Sequence, residues 1–107
     1  MAFENYYRDK FYAARNDLAS DTGPMRDRLV SAYINYLHVV QSRFLVDEMK
    51  ADFDELMRLL TQVQNERRGA VWASTRQMHW TQTKKCAQLI VKLATEADRR
   101  FIGSKSK

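Results

Sequence analysis

The apolar residues between Arg28 and Leu45 constrain the fold of this chain more than any other stretch. They recur at the three- and four-residue spacing of a helix face, at Leu29, Ala32, Tyr33, Tyr36, Leu37, Val40 and Phe44. Other apolar residues lie off that face, at Val30, Ile34, Val39 and Leu45. A helix apolar around much of its circumference is covered on several sides. We predict an all-α bundle of about four helices around a central helix over 24–45, with Tyr33, Leu37 and Val40 in the core.

Composition supports one helical domain over residues 1–107. The 45% of apolar residues is enough for a core, and three Gly with one Pro leave few places to turn. Cys86 is the only cysteine, so an internal disulfide is excluded and a reducing compartment is favoured. The start resembles no signal peptide, and no stretch approaches the roughly 20 apolar residues of a membrane span. We therefore predict a cytoplasmic protein without membrane contact.

Apolar registers predict the other helices. A helix over 3–19 places on one face Phe3, Tyr7, Phe11, Ala14 and Leu18. Gly23 or Thr22 is expected to cap the next helix, with Pro24 at its first position. A register slip between Phe44 and Met49 indicates either one bent helix or a break. We favour a break near Val46, because a helix over 24–64 would far exceed the usual length.

The third predicted helix covers 47–63, with Asp47 as its cap and an apolar register of Met49, Phe53, Leu56, Leu60 and Val63. Gly69 ends a polar linker, and a short helix over 70–78 follows. The last helix is predicted over 80–101, and the tail over 103–107 begins at Gly103. The apolar face of this last helix comprises Thr83, Cys86, Ala87, Ile90, Leu93, Ala94, Ala97 and Phe101.

The order of core residues resembles that of a group of short all-helical bacterial proteins with no assigned activity. It is carried by Arg28-Leu29, Ala32-Tyr33, Leu37, Leu45, Asp47-Glu48, Phe53, Leu56, Leu60-Thr61, Ala73, Thr75, Met78, Ala87, Ile90-Val91 and Leu93. The group tends to have Pro near position 46 and an acidic cap after the Met. This chain instead has Val46 and the sequence His79-Trp80-Thr81-Gln82. The resemblance implies the same helix breaks and no particular function.

Few residues are suited to catalysis or metal binding. His79 and Cys86, seven residues apart, are the nearest approach to a ligand or nucleophile pair, and His38 lies far away in sequence. A metal site needs several converging ligands, and a reactive Cys needs a base and an oxyanion site. Packing of Cys86 and capping by His79 are the favoured interpretations. Phosphate-binding Gly-rich loops are also absent from the sequence. We predict a non-enzymatic protein without metal or cofactor.

Basic residues are concentrated in the second part of the chain. Residues 1–65 hold eight Lys or Arg against ten Asp or Glu, whereas residues 66–107 hold ten against three. The basic set comprises Arg67, Arg68, Arg76, Lys84, Lys85, Lys92, Arg99, Arg100, Lys105 and Lys107. Such a set is typical of a nucleic-acid footprint, of an interface with an acidic protein, or of a solvated face.

Trp72, Arg76 and Trp80 follow one another at intervals of four, and Lys84 continues the series if one helix spans them. Indoles with cations between them are suited to stacking on bases and contacting phosphates. Large aromatic side chains more often close a core, so burial of one or both indoles is the competing interpretation. The sequence leaves both interpretations open.

These patterns favour a small protein that binds another protein, in an adaptor or regulatory role. The predicted partner surface comprises Arg67, Arg68, Trp72, Arg76, Trp80, Lys84, Lys85, Lys92, Arg99 and Arg100. The alternative is a nucleic-acid-binding module that uses the basic C-terminal helix with Trp72 and Trp80. A two-fold dimer is also expected, because short neighbours leave part of the central helix uncovered.

Overall fold

The chain folds into helices joined by short connections. The computed structural model describes residues 2–20 and 22–105, with side chains for 6–20 and 22–99. Within these ranges there is no strand, and the all-α prediction is confirmed. The five α-helices of the described residues are α1 (Ala2–Ser20), α2 (Met25–Asn35), α3 (Asp47–Leu60), α4 (Ala70–Gln77) and α5 (Trp80–Lys105).

The connection between α1 and α2 is closed by Arg28. Its Nε donates to the Gly23 carbonyl at 2.7 Å, and its Nη1 donates to the Leu18 carbonyl at 2.8 Å. Pro24 is the N-cap of α2 rather than its first residue, which displaces the predicted start by one position. Ser31 on α2 also donates to the Asp17 carboxylate at 2.6 Å. These bonds fix the angle at which the chain turns back onto α1.

The predicted helix over 24–45 is much too long. α2 ends at Asn35, and two 3₁₀ turns follow, Leu37–Val39 and Ser42–Phe44. A 3₁₀ turn has three residues per turn, so Leu37 and Val40 face the same side and are both buried. The predicted core position Tyr33 is only half-buried.

Phe44, predicted on the buried face of the same long helix, is exposed. It lies in the second 3₁₀ turn, where the backbone no longer follows the direction of α2. Leu29 and Ala32 of α2 are buried. The Phe44 ring would share their face only if α2 continued as one helix to residue 44.

The break at Val46 is confirmed, since Val46 is the N-cap of α3 and Asp47 its first residue. Asp47 does not act as the cap, and no side chain caps this end. α3 ends at Leu60, three residues before the predicted end. Gly69 is the N-cap of α4 with φ of +88°, a left-handed conformation that Gly adopts without steric cost.

The backbone of α5 stays helical to Lys105, past both the predicted end at 101 and Gly103. The absence of a Cβ lowers helix propensity without forcing a stop. The predicted stripe residues Phe3 and Phe101 lie outside the described side chains.

The core joins α1, α3 and α5, and the most extensive helix–helix contact is between α1 and α5. α2 contacts α1, α4 and α5, so it shares the central position instead of holding it alone. The rings of Phe11 and Phe53 meet edge to face with centroids 6.0 Å apart. Each fully buried large side chain contributes about 1.5–3 kcal/mol. The predicted registers are confirmed at Tyr7, Phe11, Ala14, Leu18, Met49, Phe53, Leu56, Leu60, Cys86, Ile90, Leu93, Ala94 and Ala97.

Candidate interaction surface

Trp80 is the most exposed large hydrophobic residue among the described side chains, with 65% of its surface accessible. It begins α5 and borders an open groove of about 580 Å³ between α5 and the start of α2. The apolar lining consists of Met25, Trp80, Ala87 and Val91. The spacing of the three α5 residues, i, i+7 and i+11, places them on one helix face. α5 therefore has a second apolar row outside the core.

Among the described side chains, the polar part of the groove carries positive charge and no negative charge. It is lined by Thr83, Lys84, Gln88 and Lys92. Thr83 and Ala87, predicted on the buried face of the helix, are half-buried here. Lys84 has no ion-pair partner among the described side chains, whereas Lys92 Nζ lies 3.0 Å from Asp52.

Trp80 is held outside the core by the start of α5. The His79 backbone N–H donates to Gln82 Oε1 at 3.3 Å, and His79 Nδ1 accepts from the Thr81 N–H at 3.3 Å. This reciprocal arrangement satisfies donors that a helix start leaves free, in the manner of a capping box. The His79 ring lies 5.8 Å from the Trp80 ring. The structure thus uses His79 as a cap.

The predicted series Trp72, Arg76, Trp80 and Lys84 does not lie on one helix. α4 ends at Gln77 and Met78 is extended, so Trp80 belongs to a different helix from Trp72. This break separates the two indoles into different environments.

Trp72 is half-buried and its ring is already occupied by cations of its own chain. The guanidinium carbons of Arg68 and Arg76 lie 4.9 Å and 5.0 Å from the indole centroid. Arg76 Nη2 also donates to the Asp27 carboxylate at 2.6 Å. Arg76 therefore joins α4 to α2, and Trp80 remains the accessible indole.

Most of the described cations of α5 are neutralised by acids. Lys85 lies 3.1 Å from Glu55, and Lys92 pairs with Asp52; both acids belong to α3. Arg99 pairs with Glu96 of its own helix at 3.3 Å. Arg67 is exposed in the linker before Gly69. The side chain of Arg100, like those of Lys105 and Lys107, lies outside the described residues. The basic residues thus form several local ion pairs rather than one uncompensated stripe.

Glu55 is the acid with the strongest electrostatic environment. Hydrogen bonds from Arg58 at 2.8 Å and 2.9 Å and from Lys85 at 3.1 Å lower the pKa of its carboxyl to about 2. The carboxylate therefore stays charged far into the acid range. It anchors the C-terminal part of α3 to the N-terminal part of α5.

No candidate metal centre is found among the described side chains. No group of three His, Cys, Asp or Glu side chains converges among them. Cys86 is completely buried, and desolvation raises the pKa of its thiol to about 11. A buried thiol with this pKa is protonated at neutral pH and is a poor nucleophile.

A second, smaller cavity of about 240 Å³ lies between α2 and the start of α4. Ile34, 58% exposed, lines it together with Val30, Tyr33, Arg68 and Trp72. Sequence reasoning missed this cavity and the groove beside Trp80 (the Trp80 groove), because residues of separate elements line each of them. The sequence did contain one indication of the groove. Trp80, Ala87 and Val91 form a second apolar row on the last helix, apart from its core face.

Comparison with protein-family models, with curated proteins and with solved structures finds no match to this chain. The resemblance to short bacterial helical proteins therefore stays a prediction. Within the described part of the chain, no helix is both long enough and apolar enough to cross a membrane.

Proposed function

We propose that this chain is a non-enzymatic cytoplasmic protein that binds another protein through the Trp80 groove, in an adaptor or regulatory role. The observation that carries the proposal is the exposure of Trp80 beside Met25, Ala87 and Val91. Trp is enriched among the residues that dominate binding energy at protein interfaces. A contiguous exposed apolar patch with a polar border is typical of an interaction site.

Charge supports a partner with an apolar and acidic contact surface. Lys84 borders the groove without an ion-pair partner among the described side chains, and none of their Asp or Glu residues lines the groove. Complementary charge raises the association rate and disfavours basic competitors. The acid that Lys84 lacks within the described chain is thus expected on the partner.

Nucleic-acid binding is the second candidate, favoured by exposed Trp80 next to Lys84 and by Arg67 in the linker. Affinity for phosphates depends on the number of cations free to neutralise them. Ion pairs at Lys85, Lys92 and Arg99 reduce that number. For this reason we place protein binding first.

Site-specific photo-crosslinking in the native host tests the proposal. A photoreactive amino acid at Gln88, exposed in the groove, is compared with one at Lys50, exposed on α3. We expect a defined protein adduct from position 88 that disappears in W80A and is absent from position 50. Adducts that are the same at both positions, or insensitive to W80A, would contradict the proposal.

A parallel anisotropy titration with labelled single- and double-stranded DNA and RNA tests the second candidate. We expect no binding near 150 mM salt, because the Debye length there is about 8 Å and exposed charges farther apart are largely screened. Binding that persists at that salt concentration and weakens with K84E would favour a nucleic-acid partner.

A further inference from the structure

The form of the Trp80 groove restricts what kind of protein segment can fill it. Its α5 lining extends from Trp80 to Lys92. At 1.5 Å per residue this distance is about 18 Å, the length of about three turns of an α-helix. The α5 wall of the groove is therefore elongated, unlike the lining of a round pocket for a single side chain.

Three modes of peptide recognition that depend on the secondary structure of the bound segment can be compared with this site. Addition of a strand needs a sheet edge with free backbone groups, and the described residues contain no strand. A polyproline segment docks between several aromatic rings, and among the described residues that line the groove Trp80 alone is aromatic. A groove between two helices accepts the apolar face of a third helix.

The lining also provides places for individual side chains of such a helix. Ala87 is the smallest apolar residue of the lining and lies between Trp80 and Val91, so it leaves space for a large apolar side chain. Met25, on the opposite wall, is flexible and adapts to different shapes. Lys84 lies one turn beyond Trp80 and has no partner among the described side chains.

We infer that the occupant of the Trp80 groove is an acidic amphipathic helix of about three turns from the partner protein. Its apolar residues, spaced three and four apart, lie against Trp80, Ala87 and Val91. An Asp or Glu on its border pairs with Lys84. This inference rests on the proposed function and specifies the chemical class of the partner.

Display of a random peptide library tests the inference separately from the proposed function. Sixteen-residue peptides are selected on the wild-type chain, and those that also bind W80A are removed. Trp80 is largely exposed, so W80A is expected to keep the fold, which far-UV circular dichroism verifies. K84E replaces the charge in the groove, and K50E is the matched charge reversal on α3.

We expect enriched peptides with net negative charge and a helical apolar period, which bind K84E at least about fivefold more weakly than wild type. K50E should leave their affinity unchanged. Enrichment of Trp80-dependent peptides that are basic, extended or Pro-rich would overturn the inference and leave the proposed function standing. Selection that yields no Trp80-dependent peptide would overturn both.

Discussion

Arg76 and Asp27, 49 residues apart in sequence, meet at 2.6 Å and join α4 to α2. The same guanidinium lies 5.0 Å from the Trp72 ring centroid, so one side chain makes a cation–π contact and an ion pair. Its Nη1 is buried without a hydrogen-bond partner among the described residues, which offsets part of the gain. The arrangement shows how an arginine of the predicted partner surface is used inside the fold.

Arg76→Ala is expected to lower the free energy of unfolding by about 1 kcal/mol, because a partly exposed ion pair and a cation–π contact are both lost. Arg76→Lys should recover part of this loss, since an ammonium keeps the charge without the planar stacking group. Urea denaturation measures both. Arg67→Ala, at an exposed linker position, is the control and should change stability by less than about 0.5 kcal/mol. Equal values for the two alanine variants would contradict the role given to Arg76.

Leu37→Ala should cost about 2–5 kcal/mol, because Leu37 is completely buried and its removal leaves a cavity. Ile34→Ala, three residues earlier and 58% exposed, is the matched control and should cost little. Chemical denaturation of both variants gives the comparison. A loss below about 0.5 kcal/mol for Leu37→Ala would show that the first 3₁₀ turn does not belong to the core.

Acid should weaken the contact between α3 and α5. The pKa of Glu55 falls from 4.5 to about 2 on folding, chiefly through hydrogen bonds from Arg58 and then from Lys85. Its contribution is therefore complete above about pH 5 and is lost as pH falls towards 2, where the unfolded chain binds the proton more readily. Stability measured across this range should fall less steeply in E55Q than in wild type. E66Q, at an exposed linker acid, should keep the wild-type slope.

Two substitutions of His79, the cap of α5, are expected to affect the stability of the fold differently. His79→Ala removes the acceptor of the Thr81 N–H and should cost about 1 kcal/mol. His79→Ser restores an acceptor and, with Gln82 three residues later, completes a capping box, so it should be at least as stable as wild type. Thermal denaturation compares the three proteins. Loss of the same size in both variants would mean that the His79 ring stabilises by packing rather than by capping.

The sequence predicts the helix class, the break at Val46 and the start of α4 after Gly69, because each depends on local patterns. The buried registers of α1, α3 and α5 were also predictable from the period of their apolar residues. The end of α2 was not. Leu37 and Val40 are three apart, a spacing that fits an α-helix and a 3₁₀ turn equally. The choice involves distant contacts, such as the hydrogen bond from the Gln41 N–H to the Tyr7 hydroxyl at 3.4 Å.

The candidate surface was predictable only in part. Trp80 and Lys84 could be proposed from residue type, and both line the groove. Met25 comes from another helix, so its place in the same groove requires the tertiary fold. The pairing of Lys85 with Glu55 and of Lys92 with Asp52 likewise depends on how α3 packs on α5. A count of basic residues therefore overestimates the charge available to a partner.

The extensive contact between α1 and α5 also determines when the chain can fold. During synthesis, Phe11 can pack on α2 and on Phe53 of α3 first, but the part of the α1 surface that α5 covers stays open until α5 has been made. Contacts between residues so distant in sequence close large loops, which slows folding compared with neighbouring helices that pair as they emerge. Until then, the nascent chain presents an apolar helix to chaperones and proteases. The interval between the synthesis of α1 and that of α5 is thus one contribution to how long this exposure lasts.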